Sequence, residues 1–403
     1  MNPAAGQVEQ GSDRLARFRG LMSRLDPAGD PERAVAADLY LPSARAASSR
    51  IAARLALSPA STHLLVGGVG SGKTTELLEV QRRLGKLSDT RAFYIDVSKA
   101  HDMGSFVPGV VVVQVGLALA AALPSKDESV ASAERSLRVL AHGYFTDGYN
   151  EEGDDGTYHV PGILVSPDQF AENVGAARTA IDQILFALRE YWKHIVVLID
   201  GLDRLTDIAA VEQIVLHDVK ALATDGIGVV LVGPLKSMYG IDRTVTQRFD
   251  EFHYQPWIDP TSDPESGAFL KGILRKRLPE DAMDEAGLDA LARQSGGVLR
   301  DLVALAQLAC VEAYMGDSES IGAYQAGSAI DAFGRKHMQG LRAEEIEVLQ
   351  RVRTKGTFVQ TSEDDLALLM TRRVLEYRTN GRPRYVVHPT IEPFLREMAG
   401  ESP

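Results

Sequence analysis

From residue 61 onward, short apolar runs alternate with stretches of helical spacing. The runs are His63–Val66, Ala92–Val97, Ile195–Ile199, Val229–Val232 and Glu251–Tyr254. Their nearly continuous Val/Ile/Leu character is what strands buried on both faces require. The βα alternation predicts a parallel sheet covered by helices. Ahead of it, residues 14–25 and 44–57 read as amphipathic helices. From 261 to 337 the period is purely helical. One helix runs through Leu278 with Ser262 and Asp263 as its cap, a second covers Asp284–Gln294, and a third covers Leu299–Tyr314. Helical spacing returns at 342–353 and 363–370. Two extended runs, 373–378 and 384–389, then flank a turn at 379–383, the pattern of a winged helix. The expected domains are an N-terminal helical segment 1–60, an α/β core 61–257, a helical lid 258–338 and a winged helix 339–403.

Two stretches depart from this alternation. Residues 103–125 carry no charge, yet Gly104, Pro108, Gly109, Gln114 and Gly116 interrupt the apolar run. It lies inside the core and reads as a buried helix, not a membrane span. An insertion at about 142–168 opens with the acidic, Gly-rich segment His142–Gly156. A surface insertion is its plain reading and a partner-docking loop its sharper one. The spacing of its acids does not fit a calcium loop.

The candidate chemistry begins where the first apolar run ends. Gly67-Gly68-Val69-Gly70-Ser71-Gly72-Lys73-Thr74 is a complete GxxxxGK[ST] loop, followed by Thr75 and a helical stretch to Leu84. Such a loop lets backbone N–H groups and a helix N-terminus converge on phosphate oxygens. Lys73 is then placed for the β- and γ-phosphates and Thr74 for Mg²⁺. Asp200, ending the run 195–199, supplies the carboxylate that the metal and its waters need. The next position is Gly201, where a catalytic acid would be useful, so Asp203 becomes the carboxylate to orient water; its alternative is a turn-stabilising role. Without a well-placed base, hydrolysis is expected to be slow, suiting a switch. The segment 35–42 could lie against a purine, with Tyr40 stacking or simply at the surface.

These motifs resemble the AAA+ superfamily of P-loop NTPases, with Asp200-Gly201-Leu202-Asp203 reminiscent of STAND signalling ATPases. The resemblance implies a parallel sheet with a helical lid and a C-terminal winged-helix domain, and ATP with Mg²⁺ as ligand. It likens 228–234 to a sensor 1 strand, though without the usual polar side chain. It makes Arg248, in Gln247-Arg248-Phe249-Asp250, an arginine finger acting on a neighbouring subunit, with Arg243 the competitor. Ser295-Gly296-Gly297-Val298-Leu299-Arg300-Asp301 resembles a sensor 2 helix, in which Arg300 reaches the phosphates of its own subunit. The plain alternative is a capped helix whose arginine pairs with Asp301 or Glu312. Val387-His388-Pro389 is similar to the STAND winged helix, where the histidine contacts ADP.

Composition adjusts this picture in two places. A net charge of -12 opposes broad affinity for nucleic acid or anionic membrane. Residues 335–403 nevertheless hold 12 Arg/Lys against 10 Asp/Glu, a local balance of +2. Arg378, Arg382 and Arg384 could therefore touch DNA phosphates, although Glu344, Glu345 and Glu347 favour protein docking or intramolecular regulation. The single cysteine, Cys310, and an opening without a secretory signal lead us to expect a cytoplasmic protein. The partners expected are a second copy of the chain, a separate effector protein, plausibly in bacterial defence or a mobile element, and DNA as the alternative; no membrane is expected.

Overall fold

The computed structural model describes residues 3–26, 31–43, 46–99, 101, 107–149, 155–166, 173–205, 207–239, 245–262, 264–359, 363–379 and 381–401. Its strands are β1 (Thr62–Gly67), β2 (Thr90–Asp96), β3 (Gly143–Tyr149), β4 (Asp155–Pro161), β5 (His194–Asp200), β6 (Gly228–Val232), β7 (Glu251–Gln255), β8 (Val374–Thr379) and β9 (Arg382–Val387). Five of them form one sheet in the order β2-β5-β6-β1-β7. The pairs β2–β5, β5–β6 and β6–β1 are parallel, as the apolar runs predict. Each expected run is present and its ends shift by up to two residues; the run expected over Ala92–Val97 gains Thr90 and Arg91 and gives up Val97 to the turn Val97–Lys99. The described chain divides into two compact units.

The unit formed by 46–66 and 76–254 contains most of the sheet. Ile51, Leu55, Leu65, Leu77, Val196, Leu198, Val230 and Val232 pack together as one of its cores. Helix Val110–Ala121 is buried on nearly every side, which accounts for its charge-free sequence. No described helix is long and apolar enough to cross a membrane. This helix starts after Gly109, which has no side chain to cap it. Asp218, fully buried, does the capping from elsewhere, accepting from the Gly109 and Val112 amides at 2.8–3.0 Å. The acidic insertion contains an antiparallel hairpin, β3–β4, with Gly143 opposite Pro161 and Tyr149 opposite Asp155. Residues 150–154 of that segment lie outside the described residues.

The other unit comprises 1–45, 67–75 and 255–403. Helices Pro264–Arg277, Glu285–Gln294, Leu299–Met315 and Ala323–Met338 meet in a core around Leu274, Leu291, Leu302, Leu305 and Ala309. Asp284 caps the second of these through a 2.7 Å bond from the Gly287 amide, while Asp263, the cap expected for the first, lies outside the described residues. Phe18 and Leu21 of helix Pro3–Arg24, and Leu25 just after it, join that core. The first sixty residues therefore serve two cores, because helix Ala47–Leu57 packs on the sheet. Helices Ala343–Lys355 and Glu363–Met370, the β8–β9 hairpin and helix Glu392–Met398 make the winged helix.

Candidate functional site

The phosphate-loop sequence leaves β1 at Gly67 and opens helix Lys73–Leu84. Gly70 and Gly72 have φ of 78° and 95°, a backbone that side chains rarely adopt. Gly68 is required for space: a Cβ there would overlap the Trp257 ring. Trp257 is 1% exposed and its Nε1 donates to the Val69 carbonyl at 3.1 Å, so the indole fixes one side of the loop. Lys73 is buried, and its ammonium donates to the carbonyls of Gly67 and Gly68 at 3.0 and 3.2 Å. Ser71 is buried; Val69, Thr74 and Thr75 are half-buried.

The sensor 2-like segment meets the loop within the same unit. The Leu299 amide donates to the Gly70 carbonyl at 2.9 Å. A Cβ on Gly70 would lie 2.9 Å from Arg300 Cβ, which puts the base of that exposed side chain against the loop. Arg300 is not the partner of Asp301. Asp301 instead accepts from Arg372 Nε at 2.8 Å and lies 3.6 Å from His388 Nε2. His388 is fully buried, with Nδ1 2.8 Å from the Thr390 hydroxyl and its ring edge-on to His337. Burial raises the Asp301 carboxyl, but the His388 bond and the Arg372 charge outweigh it and hold the group below its ordinary value.

The winged-helix arginines are mostly engaged in that unit. Arg384 pairs with buried Asp259, and Arg378 bonds Glu376 at 2.7 Å. Arg373 donates to the His337 and Gln339 carbonyls at 3.0 and 3.1 Å. Arg382 is exposed and has no partner among the described residues. The hairpin is also tied to the sensor 2-like turn, through a 2.8 Å bond from the Tyr377 hydroxyl to the Gly296 carbonyl. Tyr40 is half-buried and its carbonyl accepts from Lys276 at 3.1 Å.

Asp200 belongs to the other unit. It ends β5 at 5% exposure, accepting from the Gly201 amide at 2.8 Å and the Tyr94 hydroxyl at 3.0 Å. The register sets Ile199 beside Leu231 and Leu65 beside Val232, so Asp200 stands at the carboxyl edge of the parallel strands. Gly201 has φ of 96°, and a Cβ on it would come 2.8 Å from Asp96 Oδ1 and 3.1 Å from Ser98. Asp203 is half-buried in the single turn Leu202–Arg204. Arg248 is exposed and pairs with Glu212 at 3.6 Å; Arg243 lies outside the described residues. The sensor 1-like strand β6 is entirely buried, without a polar side chain.

Two neighbours escaped the sequence reading. Asp96 carried a signal, being an acid at the end of an apolar run, but the phosphate-loop pattern directs attention to only one such acid. Trp257 carried none, since nothing local shows that an indole after β7 folds onto residues 68–69. Among the described residues no group of three His, Cys, Asp or Glu side chains could hold a metal by itself. A hydroxyl such as that of Thr74 and a carboxylate such as that of Asp200 are the donor types Mg²⁺ takes, since it is commonly bound through few protein oxygens plus phosphates and water.

No protein-family model matches the sequence, and no curated protein matches it. Among solved structures the chain is similar to the ORC2 protein of Aeropyrum pernix in its ADPNP–ADP complexes. Identity is 13%, coverage 90% of this chain and 96% of that one, and the TM-score 0.45. The ORC1 protein of Aeropyrum pernix in complex with DNA is 16% identical, with coverage of 89% and 93% and a TM-score of 0.43. The RuvB Holliday junction branch migration motor of Thermotoga maritima is 14% identical, with coverage of 88% and 95% and a TM-score of 0.42. With every one of these TM-scores below 0.5, nothing about the site is carried over from them.

Proposed function

We propose that the protein binds ATP with Mg²⁺ and hydrolyses it slowly, acting as a nucleotide-dependent switch. The observation that carries this reading is the complete loop 67–74, with Lys73 buried against two loop carbonyls. Phosphate oxygens would replace those carbonyls as partners of the ammonium, while the loop amides and the start of helix Lys73–Leu84 receive the rest of the negative charge. Thr74 and Asp200 would hold Mg²⁺, which when bound neutralises charge on the β- and γ-phosphates. Arg300 would answer the nucleotide from its own subunit. Slow turnover is supported by Gly201, whose left-handed backbone leaves no room for an acid directly after Asp200.

Arg248 would act across an interface between two copies of the chain. Its exposed pair with Glu212 costs little to release, about 0–1 kcal/mol for surface pairs. The switch would then pass to a separate effector protein in the cytoplasm, in bacterial defence or a mobile element. DNA binding is less well supported by the wing. Of Arg372, Arg373, Arg378, Arg382 and Arg384, all but Arg382 have partners in their own unit.

Calorimetric titration with a slowly hydrolysed ATP analogue tests the base of the proposal: binding is expected in the wild type and its loss in Lys73→Ala. Solution mass with ADP and with the analogue tests the assembly. A larger species only with the analogue, reverting in Arg248→Ala, supports the trans arginine; one mass in both states refutes self-assembly. Salt-steep DNA binding that fails in Arg382→Ala would instead favour the DNA reading.

A further inference from the structure

The geometry points to Asp96 as the carboxylate that orients the attacking water, taking the part that Gly201 cannot play. The inference rests on the ATP-hydrolysing reading above. Asp96 closes β2 and Asp200 closes β5, and the two residues are direct partners in the parallel register. Neighbouring parallel strands run about 4.8 Å apart, so the two acids stand side by side at the carboxyl edge. The Asp96 side chain turns toward the start of the next residue's site: its Oδ1 lies 2.8 Å from where a side chain on residue 201 would begin. The space that an acid at 201 would enter is therefore already taken by a carboxylate from the neighbouring strand.

Asp96 is held there. Oδ1 accepts from the Ser98 amide at 3.0 Å and the Ser98 hydroxyl at 2.6 Å. Arg204 Nη1 in turn bonds that hydroxyl at 2.9 Å, which orients it. Oδ2 carries no hydrogen bond among the described residues, and the side chain is half-buried. One oxygen thus fixes the group and the other can accept from a water. Asp203, by comparison, sits a residue beyond the turn that Gly201 makes.

In the reaction the water oxygen forms a bond to the γ-phosphorus. The bond from that phosphorus to the β,γ-bridging oxygen breaks, with its electron pair leaving on ADP. The proton of the water passes to a phosphate oxygen and then to solvent. Asp96 contributes orientation by accepting a hydrogen bond from the water.

The experiment compares full-length wild type with Asp96→Asn, Asp96→Glu and Asp203→Asn, measuring ADP affinity, KM and kcat for ATP. Asparagine keeps the oxygen that Ser98 holds, so the turn should survive. The expected result for Asp96→Asn is a fall in kcat of about 100-fold, within the range for a positioned acid–base group. ADP affinity and KM should stay within about threefold of wild type, the spread of ordinary contextual effects. Asp96→Glu should recover part of the rate, which a merely structural role would not predict. A wild-type rate in Asp96→Asn, or parallel losses of rate and ADP affinity, would overturn the assignment, as would loss of turnover confined to Asp203→Asn. Failure of the wild type to bind ATP at all would overturn the underlying reading, and is seen in the binding measurement before any rate is compared.

Discussion

Arg372 offers a test in which two opposing effects can be weighed. It is one of only a few described non-glycine residues with positive φ, at 63°. That backbone costs a residue with a Cβ roughly 1–2 kcal/mol. Replacing it by glycine would relieve the strain but give back about 0.4–1 kcal/mol through a freer unfolded chain. The backbone balance therefore favours Arg372→Gly by about 0.8 kcal/mol, the difference between the middles of those two ranges. Against it stands the pair with Asp301, whose side chain is 2% exposed. Leaving a buried charge without its partner costs about 3–5 kcal/mol. The lower end applies, because the Arg372 side chain is 20% exposed and His388 Nε2 stays 3.6 Å from the carboxylate. Arg372→Gly should therefore be less stable by about 2 kcal/mol, which is about 3 lost less about 0.8 regained. The two tryptophans make the assay specific, since Trp257 lies in one unit and Trp192 in the other. In a Trp192→Phe background, urea unfolding followed by tryptophan fluorescence reports the unit containing Arg372. Adding Asp301→Asn should cost little more, because the stranded charge is then gone. Stability at or above wild type in Arg372→Gly would refute the view that the ion pair outweighs the strained backbone.

Acid should weaken the fold before ordinary carboxylates titrate. Burial first, and then the charge of His253, pushes His63 down to about 4, and burial does the same for His337. The unfolded chain takes up these protons near pH 6.5 and the folded chain only near 4, so stability should fall as pH drops through that window. Histidine NMR titration checks it, and an imidazolium form of His63 at pH 6 in the folded protein would contradict it. Cys310 is fully exposure-protected in the lid core and its thiol is pushed up to about 11 by burial. It should stay silent to a thiol reagent at pH 8 until denaturant is added, when one thiol per chain reacts.

The central sheet was legible because its inner strands β1, β5 and β6 are buried on both faces and are written largely in Val, Ile and Leu. The loop was legible because its function demands glycines that no ordinary strand–helix junction needs. What the sequence left hidden depends on residues far apart in the chain. The β3–β4 hairpin is built from Gly-, Tyr- and Asp-rich segments, which pair without an apolar run to mark them. Asp218 caps a helix that begins after Gly109, 109 positions earlier in the chain, and no local pattern links the two. Within the site, the loop and Asp200 could be read directly. Trp257 against Gly68 and Asp96 against Gly201 are close approaches between strands, which a linear pattern does not encode.

The bond from the Leu299 amide to the Gly70 carbonyl supplies a reporter that requires no label. A backbone amide exchanges with deuterium only when its bond opens, so the exchange rate at Leu299 measures how often the loop lets go of helix Leu299–Met315. Nucleotides that leave the loop tied should slow exchange at that one position, and those that pull Gly70 away should speed it. A single amide thereby distinguishes a ligand that is merely held from one that is transmitted.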